Sequence, residues 1–139
     1  MQKIFVDTDI IVDFLIDRKP FSEHAAIILT LSEYGHIRVC VSALTFANCY
    51  YILKKFSSHS KVISKLGQLT EMVEIIDVTK KSILDSLKSN FKDFEDSIQN
   101  ETAKKDSQIK IIITRNIRDF HTSDLSIFTP DGYLKSLPK

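Results

Sequence analysis

The chain has 139 residues, of which 43% are apolar and 27% charged, with a formal net charge of +1 at pH 7; these proportions belong to one globular domain with room for a core of its own. No apolar run reaches the length of a membrane span, and the KIFVD start lacks the basic region and apolar core of a secretory leader, so a cytoplasmic protein is expected. A charge so near neutral excludes a strong overall footprint for nucleic acid but leaves room for local basic patches.

Lys3–Val6 (KIFV) reads as a short buried strand ending at Asp7. The period changes at Thr8. In VDTDIIVDFLID, Asp9, Asp13 and Asp17 are four apart and share one helix face, opposite Ile10, Ile11, Phe14 and Leu15. Asp9 falls in the first turn, where the helix dipole favours a negative charge; Asp13 and Asp17 read as solvated surface. Asp7 stands at the strand-to-helix junction, where it can cap the helix or belong to a functional edge. Pro20 ends this helix. Phe21–Tyr34 is helical with Gly35 as its stop, Ile37–Val41 (IRVCV) is a second strand, and Ser42 can cap a helix through ALTFANCYYILKKF. Ser60 starts a helix to about Met72, Val73–Val78 is a third strand, and Thr79 caps a helix to about Ser89. The second half of FKDFEDSIQNETAKK looks helical. Lys110–Thr114 is the fourth strand, Ser126–Thr129 a short fifth, and Pro130 suits the first position of a last helix. Cys40 and Cys49 match no metal-ligand spacing and are expected to be reduced core thiols.

Strands alternating with helices imply an α/β fold with a parallel sheet, helices on both faces, and a site at the carboxyl edge of the strands. Asp7 follows the first strand, Ser42 and Asn48 the second, and Thr114, Arg115, Asn116 and Asp119 the fourth. Asp93, Glu95 and Asp96 start the helix that leads into the fourth strand, so they begin at the same edge. DFED by itself is a good helix start and TRNIRDF by itself a polar turn. Together with Asp7 they gather carboxylates whose mutual repulsion a divalent cation would relieve. Magnesium and manganese prefer such oxygen ligands, usually one or two carboxylates plus waters and substrate phosphate. The matching chemistry is metal-assisted phosphodiester hydrolysis. His24, His36, His59 and His121 are scattered and read as surface, and no phosphate-binding glycine loop is present.

The ordered set VDTDIIVD, SALTFANCYYIL, KDFEDSIQ and IITRNIRDF, with a trailing TPDGYL, resembles the PIN-domain family along nearly the whole chain. The resemblance implies a single PIN-like domain over residues 1–139. It would be a three-layer α/β/α sandwich with a mainly parallel sheet of four to five strands. It also implies a Mg²⁺- or Mn²⁺-dependent endoribonuclease. Many relatives are VapC-like toxins of toxin–antitoxin pairs, so an RNA substrate, a cognate antitoxin and a homodimer are expected. By position, Asp7, Asp96 and Asp119 match the catalytic and metal-binding acids, with Asp93, Glu95, Asn48, Thr114 and Asn116 in support. Asn116 holds a place where many members have an acid, and Asp119 follows it. The departure is Asn48, where many PIN nucleases carry a glutamate.

Arg115 is the candidate for holding the RNA backbone, with Arg118 also flanking the acidic edge; Lys54 and Lys55 read as solvated charge. Two rival readings differ in class. One is a catalytically weak PIN-fold module that binds RNA or protein, favoured by Asn48. The other is a phosphotransferase with Asp7 as nucleophile, suggested by the DTD sequence and opposed by the short chain and the lack of a lysine motif.

Overall fold

A computed structural model describes residues 1–138. Strands β1 (Gln2–Val6), β2 (Ile37–Ser42), β3 (Val73–Ile76), β4 (Ile109–Ile113) and β5 (Ser126–Phe128) form one sheet in the order β3-β2-β1-β4-β5. Every neighbouring pair is parallel. The strands are β-branched runs such as IRVCV and IKIII, which suit a pleated surface buried on both sides.

The helices are α1 (Thr8–Leu15), α2 (Ser22–Glu33), α3 (Ala43–Leu53), α4 (His59–Leu69), α5 (Lys80–Leu87), α6 (Phe94–Lys104) and α7 (Pro130–Ser136). They cover the two faces unequally. Ile4 and Val6 of β1 point into a large core with Val39 and Val41, helix residues such as Ile10, Ile28, Leu29, Cys49, Leu53 and Val62, and Tyr133 of α7. Phe5, one residue out of phase, points the other way into a thin core with Cys40, Ile112, Ala103 of α6 and Phe120. Each such large side chain, fully buried, contributes about 1.5–3 kcal/mol. The result is a three-layer α/β/α arrangement.

Most boundaries follow local chemistry. Ser42 accepts the Thr45 N–H at 3.2 Å and starts α3; Thr79 caps α5 and Thr129 caps α7, where Pro130 takes the first turn. Gly35 closes the turn after α2 at φ 80°, a conformation that suits glycine. Three expectations need correction, at α1, α4 and the TRNIRDF turn. α1 stops at Leu15, well before Pro20, and Asp17 lies outside it at φ 51°. α4 begins at His59 with Ser58, not Ser60, as its cap. α6 begins where the DFED reading puts it, with Asp93 as the cap accepting the Asp96 N–H at 2.9 Å. The TRNIRDF turn also contains a short 3-10 helix, Ile117–Phe120.

The chain steps outward from β1 through β2 to β3, then returns to the other side of β1 with β4. The connections therefore diverge between β1 and β4, which opens a crevice at their carboxyl ends. Asp7 donates its N–H to Ile113 O at 2.9 Å, and Thr114 donates its N–H to Phe128 O at 2.9 Å. These bonds place both residues at the rim of that crevice.

Candidate active site

Asp7 is the N-cap of α1, but its side chain does more than cap. Oδ1 accepts the Thr8 N–H at 2.8 Å, and Oδ2 accepts the Thr114 hydroxyl at 2.8 Å. Thr114 also accepts the Asn116 N–H at 3.0 Å, so one hydroxyl ties the end of β4 to the carboxylate at the end of β1. Asp7 is only 5% exposed. Burial pushes its carboxyl above the usual range; the bonds from Thr114, Thr8 and Gln99 oppose this, and the charge of Asp119 adds to it.

Behind Asp7 lies a buried polar group. Gln99 Nε2 approaches Asp7 Oδ1 at 3.5 Å and donates to the hydroxyls of Thr8 at 3.1 Å and Thr45 at 3.0 Å. Its Oε1 accepts the Ser42 hydroxyl, and Thr8 and Thr45 share a bond of 3.0 Å. Strand ends and helix starts from across the sheet are thus joined beneath the carboxylate. Sequence reasoning missed Gln99, Thr8 and Thr45. The available signal for Gln99 was its place one turn after Asp96, on the same helix face.

Asp7, Asp9, Glu95, Asp96 and Asn116 line one open cleft of about 250 Å³. Burial, followed by the charge of Asp7, pushes the Asp9 carboxyl up to about 7. Asp96 also reaches about 7, through burial and then the charges of Asp7, Asp93, Asp119 and Glu95. Glu95 is raised by burial, then by Asp93 and Asp7. Asp119, exposed on the 3-10 helix, contributes its charge to Asp7 and Asp96 from one side. Among the described residues no lysine, arginine or histidine forms an ion pair with Asp7, Asp9, Glu95, Asp96 or Asp119.

The PIN-domain family model matches residues 3–118. The chain belongs to the PIN-domain family. A ribonuclease VapC1 of Aquifex aeolicus is 26% identical over 137 residues, covering 95% of this chain and 93% of the relative. The VapBC structure from Salmonella typhimurium, bound to DNA, contains a similar fold. Its TM-score is 0.70 at 17% identity, over 94% of this chain and 99% of that one. VapBC2 from Rickettsia felis, bound to a promoter fragment, gives a TM-score of 0.68 at 18% identity over 91% of this chain and 97% of that one.

Within this PIN domain Asn48 is not an isolated amide. Its Nδ2 donates to Glu95 Oε1 at 2.7 Å. The helix that lacks a glutamate therefore holds one supplied by α6, and the cleft keeps that carboxylate. Asn116 Nδ2 reaches Asp9 Oδ2 at 3.4 Å, and the Arg115 N–H donates to the same oxygen at 3.2 Å. Asp9, read from sequence as a dipole partner only, belongs to the cleft.

The expectation for Asp13 is overturned. It is fully buried, not solvated. Arg115 donates to it from Nε at 2.7 Å and from its terminal nitrogen at 3.1 Å, and Arg18 stands at 3.4 Å. The Arg115 guanidinium also lies 4.0 Å over the Phe21 ring. This bidentate, stacked arrangement commits Arg115 to the fold, where it clamps the β4 exit onto α1. It is not a free hand for RNA.

The PIN fold implies a divalent metal, and the donor set fits one. All the cleft's acids are hard oxygen donors. Asp9 Oδ1 is buried with no hydrogen-bond partner, the kind of atom a cation satisfies. Among the described residues no three of His, Cys, Asp and Glu already surround one point. An ion here would therefore depend on waters and substrate phosphate to complete its shell. Among the described residues no helix is long and apolar enough to cross a membrane.

Proposed function

We propose that this chain is an endoribonuclease that hydrolyses RNA phosphodiester bonds with Mg²⁺ or Mn²⁺, and that it is the toxin of a toxin–antitoxin pair. The observation that carries the reading is the cleft at the β1–β4 crevice, where the half-buried Asp96 faces the charge of the buried Asp7 and, among the described residues, no lysine, arginine or histidine forms an ion pair with either. The ribonuclease name of the Aquifex aeolicus relative supports RNA as the substrate, and the similar fold in a toxin–antitoxin complex from Klebsiella pneumoniae supports a protein partner.

Asp7 and Asp96 would hold the ion, with Asp9 and Asp119 beside it. The ion's chemistry is neutralisation of the phosphate and acidification of a water. The chain's own part is orientation. Thr114 and the Thr8 N–H fix both oxygens of Asp7, Gln99 backs it, and Asn48 holds Glu95 at the mouth. Preset ligands of this kind need no rearrangement as charge develops on the phosphate.

The binding-module reading rested on Asn48; with Glu95 held in the cleft by that amide, no specific observation favours it. The test is incubation of the purified protein with single-stranded RNA and Mn²⁺ or Mg²⁺, with and without chelator. Internal cleavage that chelation stops is the expected result. Cleavage that persists in chelator would overturn the metal reading, and intact RNA under all conditions the nuclease reading. For the partner, co-expression with the adjacent reading frame should yield a stable complex that suppresses cleavage.

A further inference from the structure

With Arg115 committed to Asp13, the cations that serve a ligand must lie elsewhere. A second cleft of about 520 Å³ adjoins the acidic edge, between the loop before α6 and the 3-10 helix. Its walls pair a cation with an acid twice: Lys92 precedes Asp93, and Arg118 precedes Asp119. Lys92 and Arg118 are exposed, and among the described residues neither side chain makes an ion pair or a hydrogen bond. His121 adds a directed group: its Nδ1 donates to the Arg118 carbonyl at 2.8 Å, which leaves Nε2 free. Phe91 lends the wall a half-buried ring, set edge-on against Phe120 with centroids 5.5 Å apart. Asp93 is itself engaged in capping α6.

We propose that this cleft is the subsite for the nucleotide next to the scissile phosphate, with Lys92 and Arg118 binding the flanking backbone phosphate and the base lying toward Phe91 and His121. The inference rests on the ribonuclease reading and adds a location to it. The volume lies in the range of small-ligand pockets. Arg18 also lines the acidic cleft but is drawn toward Asp13, whereas Lys92 and Arg118 are the exposed cations beside Asp93 and Asp119 that no acid engages. Phosphate contacts of this sort set register and affinity without reading sequence.

The experiment uses full-length protein with Lys92→Gln, Arg118→Gln and the double change. Each is made in the wild type for cleavage and in an Asp96→Asn background for binding. The probe is a fluorescein-labelled single-stranded oligoribonucleotide of mixed sequence, with Mn²⁺ present, titrated at several salt concentrations. Each single change should weaken binding several-fold, equally for different sequences, and reduce the salt slope by about 0.7. In cleavage, KM should rise while kcat is largely kept. Lys92→Arg and Arg118→Lys, which keep the charge, should restore most of the affinity. If the wild type cleaves RNA but the double variant keeps its affinity and salt slope, the subsite is overturned and the ribonuclease reading survives. If the double variant loses only the co-expressed protein partner, the cleft serves that partner and the proposal is likewise overturned. If the wild type neither binds nor cleaves RNA, both readings fall together.

Discussion

Asp7 and Asp13 are two buried aspartates at opposite ends of one short helix, and they are treated in opposite ways. Asp13, fully buried, receives two guanidinium groups, Arg115 at 2.7 Å and Arg18 at 3.4 Å. Asp7, 5% exposed, receives only uncharged donors: a backbone amide, a threonine hydroxyl and a glutamine amide. A buried carboxylate without a countercharge is costly and is strained further by each neighbouring acid. The fold provides the countercharge at Asp13 and withholds it at Asp7, where Asp9, Asp96 and Asp119 crowd in instead. Burial and charge alone do not mark a site; the identity of the partner separates a structural ion pair from a place prepared for an external cation.

The sharpest way to break this contrast is to neutralise each member. Asp7→Asn and Asp96→Asn should reduce RNA cleavage by more than the roughly 10–100-fold that loss of a supporting residue brings. Without metal, both variants should melt at or above the wild-type temperature, because a repelled charge has been removed. A destabilised Asp96→Asn protein that cleaves at the wild-type rate would return Asp96 to the role of helix start.

On the other side of the contrast, Arg115→Ala should cost about 3 kcal/mol in urea unfolding, since it leaves Asp13 buried with only the more distant Arg18. The same change should weaken cleavage indirectly, by loosening Thr114 and Asn116. A loss below about 1 kcal/mol would mean that the pair is not structural.

The pH dependence of the metal-free protein should run against habit. The Asp9 and Asp96 carboxyls stand at about 7 in the folded chain, above the ordinary aspartate value of 3.8. Between those values the folded state binds more protons than the unfolded state, so stability falls as pH rises. The stabilisation is complete below about pH 4 and lost on passing pH 7. Melting temperature in chelator should therefore be lower at pH 8 than at pH 5.5, and Mn²⁺ should raise it most at the higher pH. A melting curve flat in pH would show that neither burial nor neighbouring charge raises these acids.

The smallest effect is expected from Asn48→Ala. It frees Glu95 on an exposed surface, costs under about 1 kcal/mol and slows cleavage only a few-fold. Asn48→Asp, which sets a second charge beside Glu95, should slow it more in low metal and recover as Mn²⁺ rises. Equal rates for both variants at all metal concentrations would remove Glu95 from the site.

Much of this was legible in the chain. The β-branched runs around Val39 and Ile112 and the caps at Ser42, Thr79, Asp93 and Thr129 are local signals, and they placed the strands and most helices correctly. Strand–helix alternation then brought Asp7, Asp96 and Thr114 to one edge. The end of α1 was misplaced because Pro20 is the louder stop signal, whereas the helix actually ends at Leu15, shortly before the left-handed Asp17.

The sequence by itself determined the elements, their order and the type of ligand atoms at the carboxyl edge, since these depend on neighbours within a turn or two of chain. Only the tertiary structure decided which acids are answered. Helical spacing shows that Asp9 and Asp13 share a face, but not what meets that face. Arg115, which meets Asp13, lies 102 positions away, and Thr114, which meets Asp7, lies 107 away. Glu95 came to Asn48 across 47 positions. Charge pairing at such separations depends on how the sheet closes, which no local period encodes.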